Sequence, residues 1–151
     1  MRSENERVVY LKDYTPSPYL IDRVELDVRL AAEVVRVRAL LHITPREGTP
    51  PATPLVLDGD ELKLDSIAID GLPLPLVSYE EVATGLVIDE PPTRPFVLET
   101  EVSLRPESNT KLMGLYRSSG TWVPQCEPEG FRRITYFLDR PDVLARYKVR
   151  M

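Results

Sequence analysis

The densest run of side chains capable of chemistry is Gln125-Cys126-Glu127-Pro128-Glu129-Gly130-Phe131. Glu127 and Glu129 flank a proline and stand next to a glycine, a turn composition. A buried carboxylate in such a turn could bind a cationic group or hold a raised pKa. The blander reading is two solvated loop acids, and residue type alone favours it. Cys126 as a nucleophile would want a partnering histidine. His42 is the one histidine of the chain. It lies in Leu40-Leu41-His42-Ile43 and reads as a strand residue facing solvent, so Cys126 reads as a small buried residue. One histidine and one cysteine do not supply a zinc site of three or four ligands. No glycine-rich phosphate loop is present. Trp122, Phe131, Tyr136 and Phe137 could line a ligand pocket, but such residues are more often core or interface.

These residues sit in an irregular stretch, 105–140, with Gly114, Arg117, Gly120, Gly130, Arg132, Arg133 and Arg140. Long irregular segments in compact domains are often functional. The rest of the chain must hold that stretch in place, and its pattern is that of strands. Val24, Leu26, Val28 and Leu30 alternate with Glu25, Asp27 and Arg29, as in a half-buried strand. Val35, Val37, Ala39, Leu41 and Ile43 repeat the pattern, and the short gap at Ala31-Ala32-Glu33 predicts an antiparallel pair. Leu55–Leu57, Leu62–Leu64 and Ile67–Ile69 are short strands. Asp70-Gly71 suits a two-residue hairpin turn, whose central residues need φ > 0. Leu72, Leu74 and Leu76 alternate with Pro73 and Pro75, which fits only an edge strand or an extended cover. Val77–Val82 pairs with Leu86–Ile88, and Phe96 to Leu104 alternates cleanly. Seven or eight short strands predict an all-β chain, an antiparallel sandwich or saddle-like sheet. One short helix is expected, capped by Asp139 and running through Ala145. Tyr147, Val149 and Met151 begin a further strand whose neighbour is expected to lie outside the chain.

Bulk properties agree with a single domain. The 151 residues, 42% of them hydrophobic, suffice for one core. Proline, at 15 residues, is twice the usual share of about 5%, which favours short strands joined by stiff loops. Lysine and arginine number 19 against 24 acidic residues, a net charge of −5. The basic residues form no stripe along which a phosphate backbone could run, which excludes nucleic acid as a partner. No apolar run approaches the roughly 20 residues of a membrane helix. A polar start without a signal-peptide core and a single cysteine point to the cytoplasm. Residues 1–9 are expected to be flexible.

The run from Gln125 to Tyr147, which reads QCEPEGFRRITYFLDRPDVLARY, resembles the bacterial branch of the aminopeptidase N family without a gap. Weaker likenesses lie at Lys12-Asp13-Tyr14, Leu57-Asp58-Gly59-Asp60-Glu61-Leu62 and Asn109 to Arg117, so the resemblance spans most of 10–151. It implies a β saddle covering a catalytic domain that follows in the same chain. That domain would carry a glycine-alanine-methionine-glutamate-asparagine motif and a zinc-binding H-E-x-x-H helix, and neither motif occurs here. By the resemblance, zinc belongs to the parent enzyme and none is bound by this chain, which alone is expected to be inactive. Glu127 is implied to contact the α-ammonium of a peptide substrate. Gln125 is implied to line the pocket for the first side chain. A carboxylate about 3 Å from an ammonium forms a charge-assisted bond. A blocked N-terminus would leave that carboxylate unpaired, which gives specificity for exopeptidase substrates. Trp122-Val123-Pro124 departs from the family, where a cysteine and a threonine often precede the glutamine. The chain thus reads as the amino-terminal β domain, 1–151, of a longer zinc metallo-aminopeptidase. The alternatives are a free-standing β domain that binds proteins or peptides, and a purely structural lid.

Overall fold

The computed structural model describes residues 10–151; the segment expected to be flexible, 1–9, lies outside the described residues. Two long strands come first: β1 (Tyr19–Arg29) and β2 (Val35–Pro45) form the antiparallel pair anticipated from their alternation. Their apolar residues do not keep one phase. Tyr19 and Ile21 are buried at odd positions, Val24 and Leu26 at even ones. A bulge between Ile21 and Arg23 absorbs the change, so one extra residue keeps both sets on the core face. β3 (Leu55–Asp58) follows, then β4 (Lys63–Ile69), which joins two short expected strands through a second bulge at Leu64/Ser66.

Asp70 and Gly71, at φ 51° and 79°, make the tight turn into β5 (Leu72–Pro73). The prolines leave β5 at the sheet edge, where a missing donor costs nothing. β6 (Tyr79–Val82) pairs with β7 (Gly85–Ile88), and β8 (Phe96–Leu104) alternates buried and part-buried residues along its whole length. β9 (Gly114–Ser118) and β10 (Thr121–Gln125) form a hairpin inside the stretch read as irregular. β11 (Arg146–Arg150) closes the list.

The strands make three sheets, in the orders β11-β1-β2-β8-β4-β5, β3-β7-β6 and β10-β9. Pairing is antiparallel except for β1 with β11. The inner face of the large sheet, with Val24, Val37, Leu41, Leu98 and Val102, shares one buried cluster with Leu55, Leu57, Leu86 and Ile88 of the three-stranded sheet. Apolar faces of two sheets thus cover each other. Tyr136, Phe137 and Leu138 close the same core, and Phe137 exchanges both backbone hydrogen bonds with Asp58 at 2.7 and 3.1 Å. The outer face of the large sheet is polar. His42 lies there, facing solvent as expected, with Nε2 3.2 Å from Glu25 Oε1. No helix among the described residues is long and apolar enough to cross a membrane.

Two expectations need correction. The short helix over Asp139–Ala145 does not form; a turn at Pro141-Asp142 stands there. The Asp139 carboxylate is drawn instead to Arg132, accepting from its backbone N at 3.2 Å and from Nε at 2.7 Å, so it cannot cap. Arg140 and Tyr14 likewise take the Asp142 carboxylate. The few residues between Leu138, tied to the core, and β11 are too few to repay helix nucleation. The second correction concerns β11. Its neighbour is β1 of this same chain, in parallel register from Arg23↔Arg146 to Asp27↔Arg150.

Candidate functional site

The β9–β10 hairpin turns at Ser119 and Gly120, with φ of 49° and 82°, the two positive angles a tight hairpin turn requires. Its register carries Gln125 opposite Gly114 at the open end. Arg117 stacks over Trp122, 4.8 Å from the ring centroid, and pairs with Glu107 at 2.9 Å, which stiffens the ribbon. The Trp122-Val123-Pro124 segment that departs from the family pattern is therefore ordinary strand.

From Gln125 the chain enters a turn, Cys126 to Gly130, with a cis peptide between Glu127 and Pro128. Gly130 is buried against the start of that turn. A Cβ there would stand 3.0 Å from both Cys126 Cα and Gln125 O, a tight fit that any other residue would have to relieve by a small backbone shift. Gln125 and Glu127 are exposed at the tip and joined by one bond, Gln125 Nε2 donating to Glu127 O at 3.2 Å. Among the described residues no ion pair involves the Glu127 carboxylate, whereas Glu129 is paired with Arg132 Nη2 at 3.0 Å. The two acids of the turn thus differ in state, one free and one engaged.

Cys126 is part-buried, and desolvation followed by the nearby Asp139 charge pushes its thiol pKa up. A raised pKa keeps the sulfur protonated, against a nucleophilic role. The aromatics take their core reading. Tyr136 and Phe137 are buried, and Phe131 packs edge-on to Phe137 and Tyr147 with centroids 5.0 and 5.6 Å away. Tyr136 donates to Glu81 Oε2 at 3.0 Å; burial, then the Glu81 charge, raises its phenol pKa.

Beneath the tip lies an ionic layer that residue types alone did not reveal. Arg133 is buried, with Nη1 2.5 Å from Asp60 Oδ2, Nη2 2.6 Å from Glu61 Oε2, and Nε donating to Met113 O at 3.0 Å. Lys111 Nζ reaches Asp60 at 3.0 Å and Glu61 at 3.1 Å. Burial alone would raise the Asp60 carboxyl; bonds from Lys111 and Arg133, with their charges, outweigh it and hold the pKa below its ordinary value. Glu61 is held down by the Arg133 bond first and the Lys111 bond second. The partners lie 72 and 73 residues apart in sequence. The signal that could have found them is the acid run Asp58, Asp60, Glu61 matched against Arg132-Arg133.

A groove of about 770 Å³ runs beside this layer, lined by Asp60, Glu61, Lys63, Glu101, Arg105 and Arg133 among others, and does not reach Gln125 or Glu127. For zinc the donors do not fit. His42 on β2 and Cys126 beyond β10 belong to different places, and no three metal-ligating side chains gather among the described residues.

Residues 15–151 match the Peptidase M1 N-terminal domain. The chain is 50% identical over its whole length to Aminopeptidase N of Caulobacter vibrioides and 40% identical over 99% of its length to Aminopeptidase N of Escherichia coli, and it spans 17% of each. The described fold superposes on Legionella pneumophila aminopeptidase A, solved in complex with aspartic acid, with a TM-score of 0.84 at 34% identity, covering 92% of this chain and 16% of that one. An M1 zinc metallopeptidase from Deinococcus radiodurans, bound to a Tyr-Ser-Ala substrate, shares the fold with a TM-score of 0.70 at 18% identity, covering 87% of this chain and 32% of that one.

Proposed function

The chain belongs to the Peptidase M1 N-terminal domain family, and on that premise we propose that it is one domain of a longer, cytoplasmic zinc metallo-aminopeptidase. In this reading its sheets form a β saddle packed on the catalytic domain of the same chain. Its turn at 125–130 reaches into the active site, where Glu127 binds the free α-ammonium of the peptide and Gln125 lines the pocket for the first side chain.

The carrying observation is the state of Glu127: an exposed carboxylate in the turn that follows a braced hairpin, without an ionic partner among the described residues. An acid held out in this way and then enclosed between two domains becomes a strong site for a cation, because removing water strengthens the pairing. Selection follows from the same physics. A peptide with a blocked amine cannot neutralise the carboxylate, and an enclosed unpaired charge costs several kcal/mol, about 3 to 5. The charge fixes which end of the peptide enters, and the bond fixes where that end stands.

This division of labour assigns metal chemistry to the rest of the protein, since the donors among the described residues do not fit zinc. The 151-residue chain by itself should release no amino acid from alanyl or leucyl chromogenic substrates, with or without added zinc, while the longer protein turns them over. Metal-dependent turnover by the chain alone, surviving rigorous purification, overturns the reading.

A further inference from the structure

The turn that carries Glu127 has few bonds of its own. Between the last ladder pair, Gln125↔Gly114, and the turn Phe131–Arg133, the described hydrogen bonds and ion pairs are the Gln125 bond to Glu127 O, the pairing of Glu129 with Arg132, and the Arg133 backbone N donating to Gly130 O at 3.0 Å. The second of these leaves the turn and leads into the body of the domain. Arg132 Nε donates to Asp139 Oδ2 at 2.7 Å, and Nη2 donates to Asp139 O at 2.9 Å and to Glu129 Oε2 at 3.0 Å. Nη1 stands 3.7 Å from Asp58 Oδ1.

The acceptors in the body of the domain are themselves fixed. The Asp139 residue is buried, and its backbone N donates to Asp58 Oδ2 at 3.0 Å. Asp58 ends β3, whose Leu55 and Leu57 are fully buried. The Arg132 backbone is held too, its carbonyl accepting from Asp60 N at 3.0 Å. A rigid core strand is thereby linked through one guanidinium to a side chain two residues from Glu127. Arginine suits this place because its planar fork offers five donors in fixed directions, enough to hold three carboxylates and a carbonyl at once; a lysine ammonium has three donors and no plane.

We propose that Arg132 is a positioning residue, a clamp that joins Glu129 in the turn to Asp139 and Asp58 in the body and so fixes where the Glu127 carboxylate stands. This rests on the reading of Glu127 as the ammonium-binding group. Its consequence is kinetic, because a misplacement of about 1 Å at a reacting or binding group can cost on the order of 100-fold.

The test is a mutant cycle in the longer enzyme, read by steady-state kinetics on a substrate with a free α-amine. The variants are Glu127→Gln, Arg132→Gln, Arg132→Lys, Glu129→Gln and the double Glu127→Gln/Arg132→Gln. Arg132→Gln should lower kcat/KM about tenfold or more, with Arg132→Lys recovering part of the loss. The double variant should be no worse than Glu127→Gln alone, since a clamp has nothing to position once the charge is gone. Wild-type efficiency in Arg132→Gln, or losses that multiply in the double variant, overturns the proposal. Should Arg132→Gln fail to fold, Glu129→Gln replaces it in the cycle, because that exposed side chain contributes only the link to the turn. Its loss should be about two- to fivefold and vanish in the Glu127→Gln background; wild-type efficiency there overturns the clamp. Wild-type behaviour of Glu127→Gln itself defeats the ammonium reading and the clamp together. A loss in Glu127→Gln without one in the Arg132 and Glu129 variants defeats the clamp alone.

Discussion

At the scale of single residues, two acids of the same turn have been sorted by what surrounds them. Glu129 is held by Arg132, and Glu127 faces outward with no ionic partner among the described residues. Residue type could not have separated them, and solvated loop acids remained the favoured reading until a long contiguous signature singled out Glu127. Tyr136 teaches a related lesson. It read as pocket or core, and it is core with one polar end, the hydroxyl on Glu81. Tyr136→Phe keeps the ring and removes that bond. The expected loss is about 1 kcal/mol, seen as a lower midpoint in chemical denaturation of the 151-residue chain. An unchanged midpoint would show that the bond contributes nothing net. Arg132, Arg133, Asp58 and Asp139 were invisible as a group because their partners are distant in sequence and only the fold brings them together.

At the scale of elements, alternation located β1, β2, β3, β4 and β8, because one face of each is buried and side chains alternate along a strand. What it could not locate were the bulges, the β9–β10 hairpin and the partner of β11. The bulge of β1 is nonetheless written in the phase change between Ile21 and Val24. The hairpin was masked because glycine, arginine and proline interrupt the alternation at Gly114, Arg117 and Pro124. The helix anticipated after Asp139 fails because its capping acid serves Arg132. Close approach of β3 to β7 sets another limit: a Cβ on Gly85, at φ 157°, would run into the Leu57 carbonyl oxygen. Gly85→Ala should therefore destabilise the chain by about 3 kcal/mol or more, as core disruptions do. Its denaturation midpoint measures this, and a change under about 0.5 kcal/mol would contradict the packing described.

At the scale of the whole molecule, the all-β architecture was legible from sequence, while its ionic cross-links were not. Those cross-links set an acid limit. Asp60 and Glu61 in the folded chain hold pKa values below their ordinary 3.8 and 4.5. The unfolded chain binds these protons more readily than the folded one, so the stability they contribute is whole above about pH 4.5 and is lost as pH falls through the depressed folded values. Thermal midpoints of the 151-residue chain should fall on acidification below that point, and Asp60→Asn should make the fall shallower. An equally steep acid limb in Asp60→Asn would show that this layer is not its source.

The same molecule, in the proposed reading, lends a fixed carboxylate to a catalytic centre built by the rest of a longer chain. The most direct test pairs the carboxylate with the amine it is proposed to bind. Inhibition constants of an amino-acid amide and of its desamino counterpart would be measured against wild-type and Glu127→Gln forms of the longer enzyme, with zinc content assayed in both. The account predicts that wild type prefers the amine-bearing ligand and that Glu127→Gln loses about 1.5–3 kcal/mol of that preference, roughly one to two orders of magnitude, at unchanged zinc content. An equal preference in both forms would contradict it.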